Sequence, residues 1–172
     1  LGDDLRAGTP IVVLEPACLS VFKEELPMML PRDEQAKRLR EQSLLLPDFI
    51  AQQAARARFA PLSRRALVQP HCHHRSVLGF DAEKTLLADR LGLDLQVPDS
   101  GCCGMAGSFG FEARKYDVAM SCGERVLLPA VRDAPAGTLI VADGFSCREQ
   151  IVQATGREVL HVAQVLQQAI PE

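Results

Sequence analysis

The feature that most constrains this sequence is a pair of adjacent cysteines in a glycine-rich segment. Cys102 and Cys103 lie within residues 100–110, SGCCGMAGSFG, which also contain four glycines. Adjacent cysteines rarely pair with each other because their disulfide would close a strained ring, so two neighbouring thiols indicate a shared ligand. We expect Gly104 and Gly107 to contact a cofactor, since glycine lets the backbone approach a bound group closely. The alternative is a tight turn with two buried thiols.

Composition and charge exclude several classes of protein. The 172 residues are 47% hydrophobic and 24% charged, as expected of a globular chain with a real core. A net charge of −3 gives no basic surface for nucleic acid or for an anionic membrane. There is no apolar run long enough to span a bilayer and no signal peptide, although the chain starts at Leu1 and we expect native sequence upstream of it. Six cysteines without a secretory signal indicate metal or redox chemistry in the cytoplasm.

Apolar runs alternate with amphipathic segments along the chain. Four runs are typical of strands, at residues 9–14, 65–69, 93–97 and 138–142. Helices are predicted at residues 19–30, 33–58, 81–91, 112–131, 146–154 and 160–169. Asp33 and Asp81 are the expected N-caps, and Pro47 is a break or the first turn of a second helix. The alternation predicts an α/β fold with a parallel, Rossmann-like sheet flanked by helices.

The cysteines follow the predicted strands closely. Cys72, Cys102 and Cys147 each come a few residues after a strand, and Cys103 is next to Cys102. Because the carboxyl ends of parallel strands meet at one edge of a sheet, we expect these four thiols to gather there. Helices that begin just beyond the loops would favour thiolate over thiol. The sequence therefore predicts a four-sulfur metal site.

These motifs resemble a known family. PHCHHRSVLGFDAE, DSGCCGMAGSFGFEARKYD and ADGFSCREQI, followed by GREVLHVAQVL, are similar to the cysteine-rich CCG domain of heterodisulfide reductases. The resemblance is closest to the C-terminal part of FAD-linked oxidases of the D-lactate and D-2-hydroxyglutarate dehydrogenase type. IVVLEPACLSVFKEELP resembles the end of a preceding repeat. The resemblance implies two units, the closing part of one CCG repeat at residues 1–58 and a complete CCG domain at residues 59–172.

The resemblance also implies a ligand set. Cys72 takes the first ligand position, Cys102 and Cys103 the paired position, and Cys147 the last position of a terminal Cys-x-x-Cys. The first cysteine of that terminal pair is replaced here by Gly144, and in the earlier repeat by Glu15, which precedes Cys18. Members with five cysteines are associated with a non-cubane [4Fe-4S] cluster. Four thiolates can hold a conventional [4Fe-4S] cluster or a zinc ion, so both remain open.

The function implied is electron transfer within a flavin-linked oxidoreductase. The resemblance implies an upstream flavin domain that carries FAD, oxidises a D-2-hydroxy acid such as D-lactate or 2-hydroxyglutarate, and passes electrons through iron-sulfur centres toward a quinone or another acceptor. This chain has no dinucleotide-binding fingerprint, so we expect no FAD or NAD on it. We expect the full enzyme in the cytoplasm or at the periphery of the inner membrane. The alternatives are a structural zinc-binding or docking module and a thiol-disulfide redox protein, the latter disfavoured because no Cys-x-x-Cys is present.

Three histidines flank the first cysteine. His71, His73 and His74 are each candidates for an additional ligand, or simply loop histidines near a helix start. In an extended segment His71 and His73 would share the face opposite Cys72, while His74 would share the face of Cys72. This alternation favours His74 among the three.

Overall fold

The computed structural model describes residues 1–53 and 56–171, and its strands are all short. They form β1 Ile11–Val13, β2 Ser43–Leu45, β3 Arg65–Val68, β4 Asp94–Gln96 and β5 Leu139–Val141. β1 and β2 pair in a parallel two-stranded sheet, and the other strands form a parallel sheet in the order β4-β3-β5. An isolated parallel bridge between Val141 and Leu160 extends the second sheet beyond β5. The predicted α/β fold with parallel strands flanked by helices is confirmed.

Helices make up most of the remaining structure. The α-helices are α1 Gly2–Ala7, α2 Pro16–Ser20, α3 Leu26–Met29, α4 Glu34–Gln42, α5 Leu46–Gln52, α6 Asp81–Thr85, α7 Tyr116–Glu124, α8 Leu127–Asp133, α9 Phe145–Thr155 and α10 Val162–Gln168. Three segments have π-helical hydrogen bonding, Val21–Glu25, His74–Leu78 and Leu86–Arg90, and two have 3₁₀ geometry, Phe109–Phe111 and Ala113–Lys115. None of the helices in residues 1–53 and 56–171 is long and apolar enough to cross a membrane.

The core lies on both faces of the three-stranded sheet. Successive side chains of a strand point to opposite faces, and here Val68 and Val141 pack with leucines of the 86–91 segment and with α10. On the other face Leu67 and Ile140 pack with α8 and α9. Helices thus cover both faces of the sheet, so the carboxyl ends of its strands remain the place where loops can form a site.

Helix ends follow the predicted caps only in part. The Asp33 carboxylate accepts hydrogen bonds from the N–H groups of Gln35 and Ala36, so the predicted cap of α4 is confirmed. Asp81 is wrong as a cap, because it lies in the first turn of α6 and Phe80 precedes it as the N-cap. The predicted helix at residues 33–58 is interrupted by β2, and its residues 54 and 55 lie outside the described residues.

Candidate metal centre

The loops after β3, β4 and β5 bring the four candidate cysteines together. The thiols form a row in which Cys72 interacts with Cys102, Cys102 with Cys103, and Cys103 with Cys147. All four are free thiols. Their accessibility changes along the row, from exposed Cys102 and half-buried Cys72 to Cys103 and Cys147, which are 3% and 1% exposed. The row therefore connects the surface with the interior.

The hydrogen-bond network fixes the paired-cysteine loop against the sheet. Gln69, directly after β3, donates from Nε2 to the carbonyl oxygen of Gly101 at 3.2 Å and accepts a hydrogen bond from the hydroxyl of Ser100. Gln69 is 1% exposed, so both bonds are shielded from water. The loop that carries Cys102 is consequently held beside the loop that carries Cys72.

Glycines allow this loop to pack closely. Gly104 has φ of +97° and lies so close to the carbonyl oxygen of Ala119 on α7 that a Cβ atom could not be accommodated. Its N–H group donates to the Cys102 sulfur at 3.4 Å. Gly107 has φ of +62° but lies in open space, exposed at the surface. Of the two glycines expected to contact a cofactor, only Gly104 directs its N–H at one of the four sulfurs among the described contacts.

The thiols of the row differ in their pKa values. Hydrogen bonds from the thiols of Cys103 and Cys72 lower the pKa of Cys102 far below its usual value, and the Gly104 N–H adds to this effect. The same hydrogen bonds raise the pKa of Cys72 and of Cys103, because each donates its proton toward Cys102. Cys102 is therefore more acidic than Cys72 and Cys103, and the thiolate is the form of cysteine that binds metals.

The three histidines lie in different surroundings. The His71 Nδ1 atom is 4.0 Å from the Cys72 sulfur, and the His73 Nδ1 atom is 2.9 Å from the Ser20 hydroxyl on α2. The expectation that His74 shares the face of Cys72 is wrong, since the segment after His71 is helical rather than extended and alternation does not apply. His74 instead turns inward toward Glu83.

A cluster of buried polar side chains lies next to the cysteine loops. Glu83 and Asp143 share a hydrogen bond, and the Nδ1 atom of His74 is 3.5 Å from the Glu83 Oε2 atom. Burial and the Asp143 charge raise the pKa of Glu83, while burial lowers the pKa of His74 to about 4. His161 joins the group, its Nε2 atom 3.5 Å from Asp143 Oδ1. The sequence analysis missed Glu83. Its spacing of three and four residues from Leu86 and Leu87 places it on the apolar face of the predicted helix, where a carboxylate is unusual.

Residues near the start of the chain, between β1 and α2, complete the rim of the site. Glu15 accepts hydrogen bonds from Ala17 N–H at the start of α2 and from Phe145 N–H at the start of α9, at 3.3 and 2.7 Å. Cys18 is exposed on α2, and Cys122 is half-buried on α7. Glu15 thus joins the β1 loop to the helix that carries Cys147.

Comparison with known proteins identifies relatives that are much longer than this chain. It is 32% identical over 162 residues to D-2-hydroxyglutarate dehydrogenase of Pseudomonas putida, a match that covers 94% of this chain and 15% of the relative. It is 28% identical over 167 residues to D-2-hydroxyglutarate dehydrogenase of Escherichia coli K12, a match that covers 96% of this chain and 16% of the relative. One of the subunits of anaerobic glycerol-3-phosphate dehydrogenase from the same strain is 27% identical over 166 residues, covering 95% and 41%. No family model and no solved structure matches the chain.

Proposed function

We propose that this chain is the iron-sulfur, electron-transferring part of a flavin-linked oxidoreductase that acts on a D-2-hydroxy acid. The observation that carries the proposal is the row of four thiols from Cys72 through Cys102 and Cys103 to Cys147. The dehydrogenase relatives support the oxidoreductase class, and the small share of each relative that the chain spans supports a part of a larger protein. The flavin, the substrate site and the acceptor belong to the rest of that protein or to its partners.

The chemistry of the donors fits a [4Fe-4S] cluster. Four cysteine thiolates are the ligands that such a cluster requires, and Cys72, Cys102, Cys103 and Cys147 would hold it. When bound, the cluster supplies one-electron transfer. The chain contributes a buried side at Cys103 and Cys147, an N–H donor at Gly104, and an exposed side at Cys102 where an electron partner can approach.

The spacing of the sulfurs does not match a preformed tetrahedral zinc site. A zinc ion with Zn–S bonds of about 2.3 Å would bring all four sulfurs to within roughly 3.8 Å of one another. Among the described residues, no three of the cysteine sulfurs come within 4.8 Å of each other. The thiols therefore form an extended row rather than the compact tetrahedron of a zinc site.

Anaerobic purification with metal and sulfide analysis tests the proposal. We expect about four iron and four sulfide per chain, a brown colour and an EPR signal on reduction. Cys103→Ser should lose most of the iron, whereas Cys122→Ser, a matched change on the neighbouring helix, should retain it. A colourless chain with one zinc would contradict the proposal and support a structural or docking module. A metal-free chain whose thiols interconvert with a disulfide would support thiol-disulfide chemistry instead.

A further inference from the structure

The buried group of His74, Glu83 and Asp143 has the composition of a metal site of its own. One ligand atom from each residue lies within 4.8 Å of the other two, and among the described residues this is the only such set of three. The side chains are 2%, 2% and 4% exposed. They come from three separate elements, the π-helical segment after Cys72, helix α6, and the loop between β5 and α9.

Two atoms in this group lack the partners that burial demands. Neither the Nδ1 atom of His74 nor the Oε2 atom of Glu83 has a hydrogen-bond partner among the described residues, although they face each other at 3.5 Å. Buried polar atoms are nearly always satisfied, so two unsatisfied ligand atoms that face each other indicate a missing group between them. The chemistry of the two atoms, an imidazole nitrogen and a carboxylate oxygen, is that of metal ligands.

We propose that His74, Glu83 and Asp143 bind a divalent transition-metal ion of the zinc class, separate from the metal at the cysteines. An imidazole with two carboxylates is a donor set that zinc accepts, and a divalent cation would balance two buried carboxylates. The ion would satisfy both orphaned atoms at once. This inference does not depend on the proposed iron-sulfur function.

Neighbouring groups orient Asp143, and a cavity adjoins it. The Asp143 Oδ1 atom accepts a hydrogen bond from the N–H of Val162 at 2.8 Å. His161 lies beside it and is itself hydrogen-bonded to the carbonyl oxygen of Leu14 at 2.9 Å. Such outer partners fix the orientation of a metal-binding carboxylate. Asp143, His161 and Leu14 also line a cavity of about 340 Å³, so one of the three ligands adjoins open space.

The position of the group gives the ion a structural role. His74 is two residues from Cys72, and Asp143 is four residues from Cys147. An ion held by both, and by Glu83 on α6, would cross-link two of the three loops that carry the thiols. We therefore expect the ion to stabilise the chain and to hold these loops in register.

Zinc binding by a chain without the four site thiols tests the proposal. In the whole chain with Cys72, Cys102, Cys103 and Cys147 all replaced by serine, we expect one equivalent of zinc and a higher unfolding temperature in its presence. Adding Glu83→Gln should weaken zinc binding by more than about 100-fold, since even outer partners of a metal contribute 10–100-fold. Adding Glu124→Gln, the same change at an exposed carboxylate paired with Arg132, should leave zinc binding unchanged.

Two results would overturn the proposal. One is a folded four-serine chain that binds no zinc, and the other is equal zinc affinity with and without Glu83→Gln. Should the four-serine chain fail to fold, cobalt titration of the thiol-intact chain decides the matter. A site with only nitrogen and oxygen ligands adds a weak visible band without sulfur-to-cobalt charge transfer, and we expect Glu83→Gln to remove that weak band alone. An identical spectrum for both chains would contradict the proposal, whatever metal the thiols bind.

Discussion

The imidazole of His71 lies in the space that a side chain at position 144 would need. A Cβ atom built on Gly144 would be 2.5 Å from His71 Cδ2 and 3.1 Å from Cγ. The ring has little freedom to move, because His71 is 8% exposed and its Nδ1 atom accepts a hydrogen bond from the His73 N–H at 3.2 Å. A side chain at position 144 and the imidazole of His71 therefore compete for the same space.

Introducing a cysteine at position 144 should therefore be unfavourable. We expect Gly144→Cys to lower the free energy of unfolding of the metal-free chain by about 1–3 kcal/mol, the usual cost of overpacking a filled interior. Combining it with His71→Ala should recover much of that loss, because the ring no longer occupies the space. A double-mutant cycle in urea measures the coupling between the two positions. Additive effects would show that the two positions do not compete for space.

The two glycines of the paired-cysteine loop should differ in their tolerance of alanine. Gly107→Ala meets no described atom within 4 Å and should cost only the left-handed backbone conformation, about 1–2 kcal/mol. Gly104→Ala adds a collision with the Ala119 carbonyl and should cost roughly 1–3 kcal/mol more. Urea unfolding of both variants measures the difference, and iron content should fall more for Gly104→Ala. Equal stability of the two variants would contradict the close contact with α7.

The strands of the larger sheet could be predicted from the sequence because their signal is local. The predicted strands at residues 65–69, 93–97 and 138–142 match β3, β4 and β5 to within one residue at each end. The local pattern does not predict β2, since Leu45 and Leu46 also fit the buried face of the helix predicted at residues 33–58. What makes residues 43–45 a strand is their pairing with β1, a contact between distant parts of the chain. The proposed division into residues 1–58 and 59–172 stays a prediction.

The meeting of the cysteines could be predicted from topology, whereas the direction of the histidines could not. Parallel strands require that their following loops share an edge, and this holds whatever the loop conformation. The direction of His74 depends on whether residues 72–74 are extended or helical, a choice made by the packing of α2 and α6 around them. The role of all four cysteines as metal ligands stays a prediction, and the [4Fe-4S] cluster stays a proposal.

The unequal acidity of the thiols predicts selective alkylation of the metal-free chain. Cys102 is exposed and its pKa is lowered by the thiols of Cys103 and Cys72, so it should be the first of the four to react with iodoacetamide. Its rate should change little between about pH 8 and about pH 5, whereas an ordinary thiol with pKa near 8.5 slows about tenfold per pH unit. Mass spectrometry of timed samples locates the label, with glutathione as the reference thiol. Faster labelling of Cys72 would contradict the direction of the hydrogen bonds.

The buried carboxyl of Glu83 should make stability depend on pH in the metal-free chain. Burial and the Asp143 charge raise its pKa, so the folded chain retains a proton that the unfolded chain releases above about pH 4.3. The free energy of unfolding therefore falls as pH rises from about 4.3 toward the raised pKa of the folded state. Glu83→Gln removes this dependence, because its amide can still donate to Asp143 while it carries no charge at any pH.

The stability of Glu83→Gln relative to the wild type should therefore grow by up to about 1.4 kcal/mol per pH unit across that window, as measured by urea unfolding with a chelator present. Asp143 is coupled to Glu83, so the difference between the two chains measures the titration of the pair rather than of Glu83 alone. Glu124→Gln, at the exposed end of the Arg132 pair, should show no such rise. A constant difference between wild type and Glu83→Gln from about pH 4 to about pH 8 would mean that the folded chain holds Glu83 ionised, because only a proton retained on folding produces the slope.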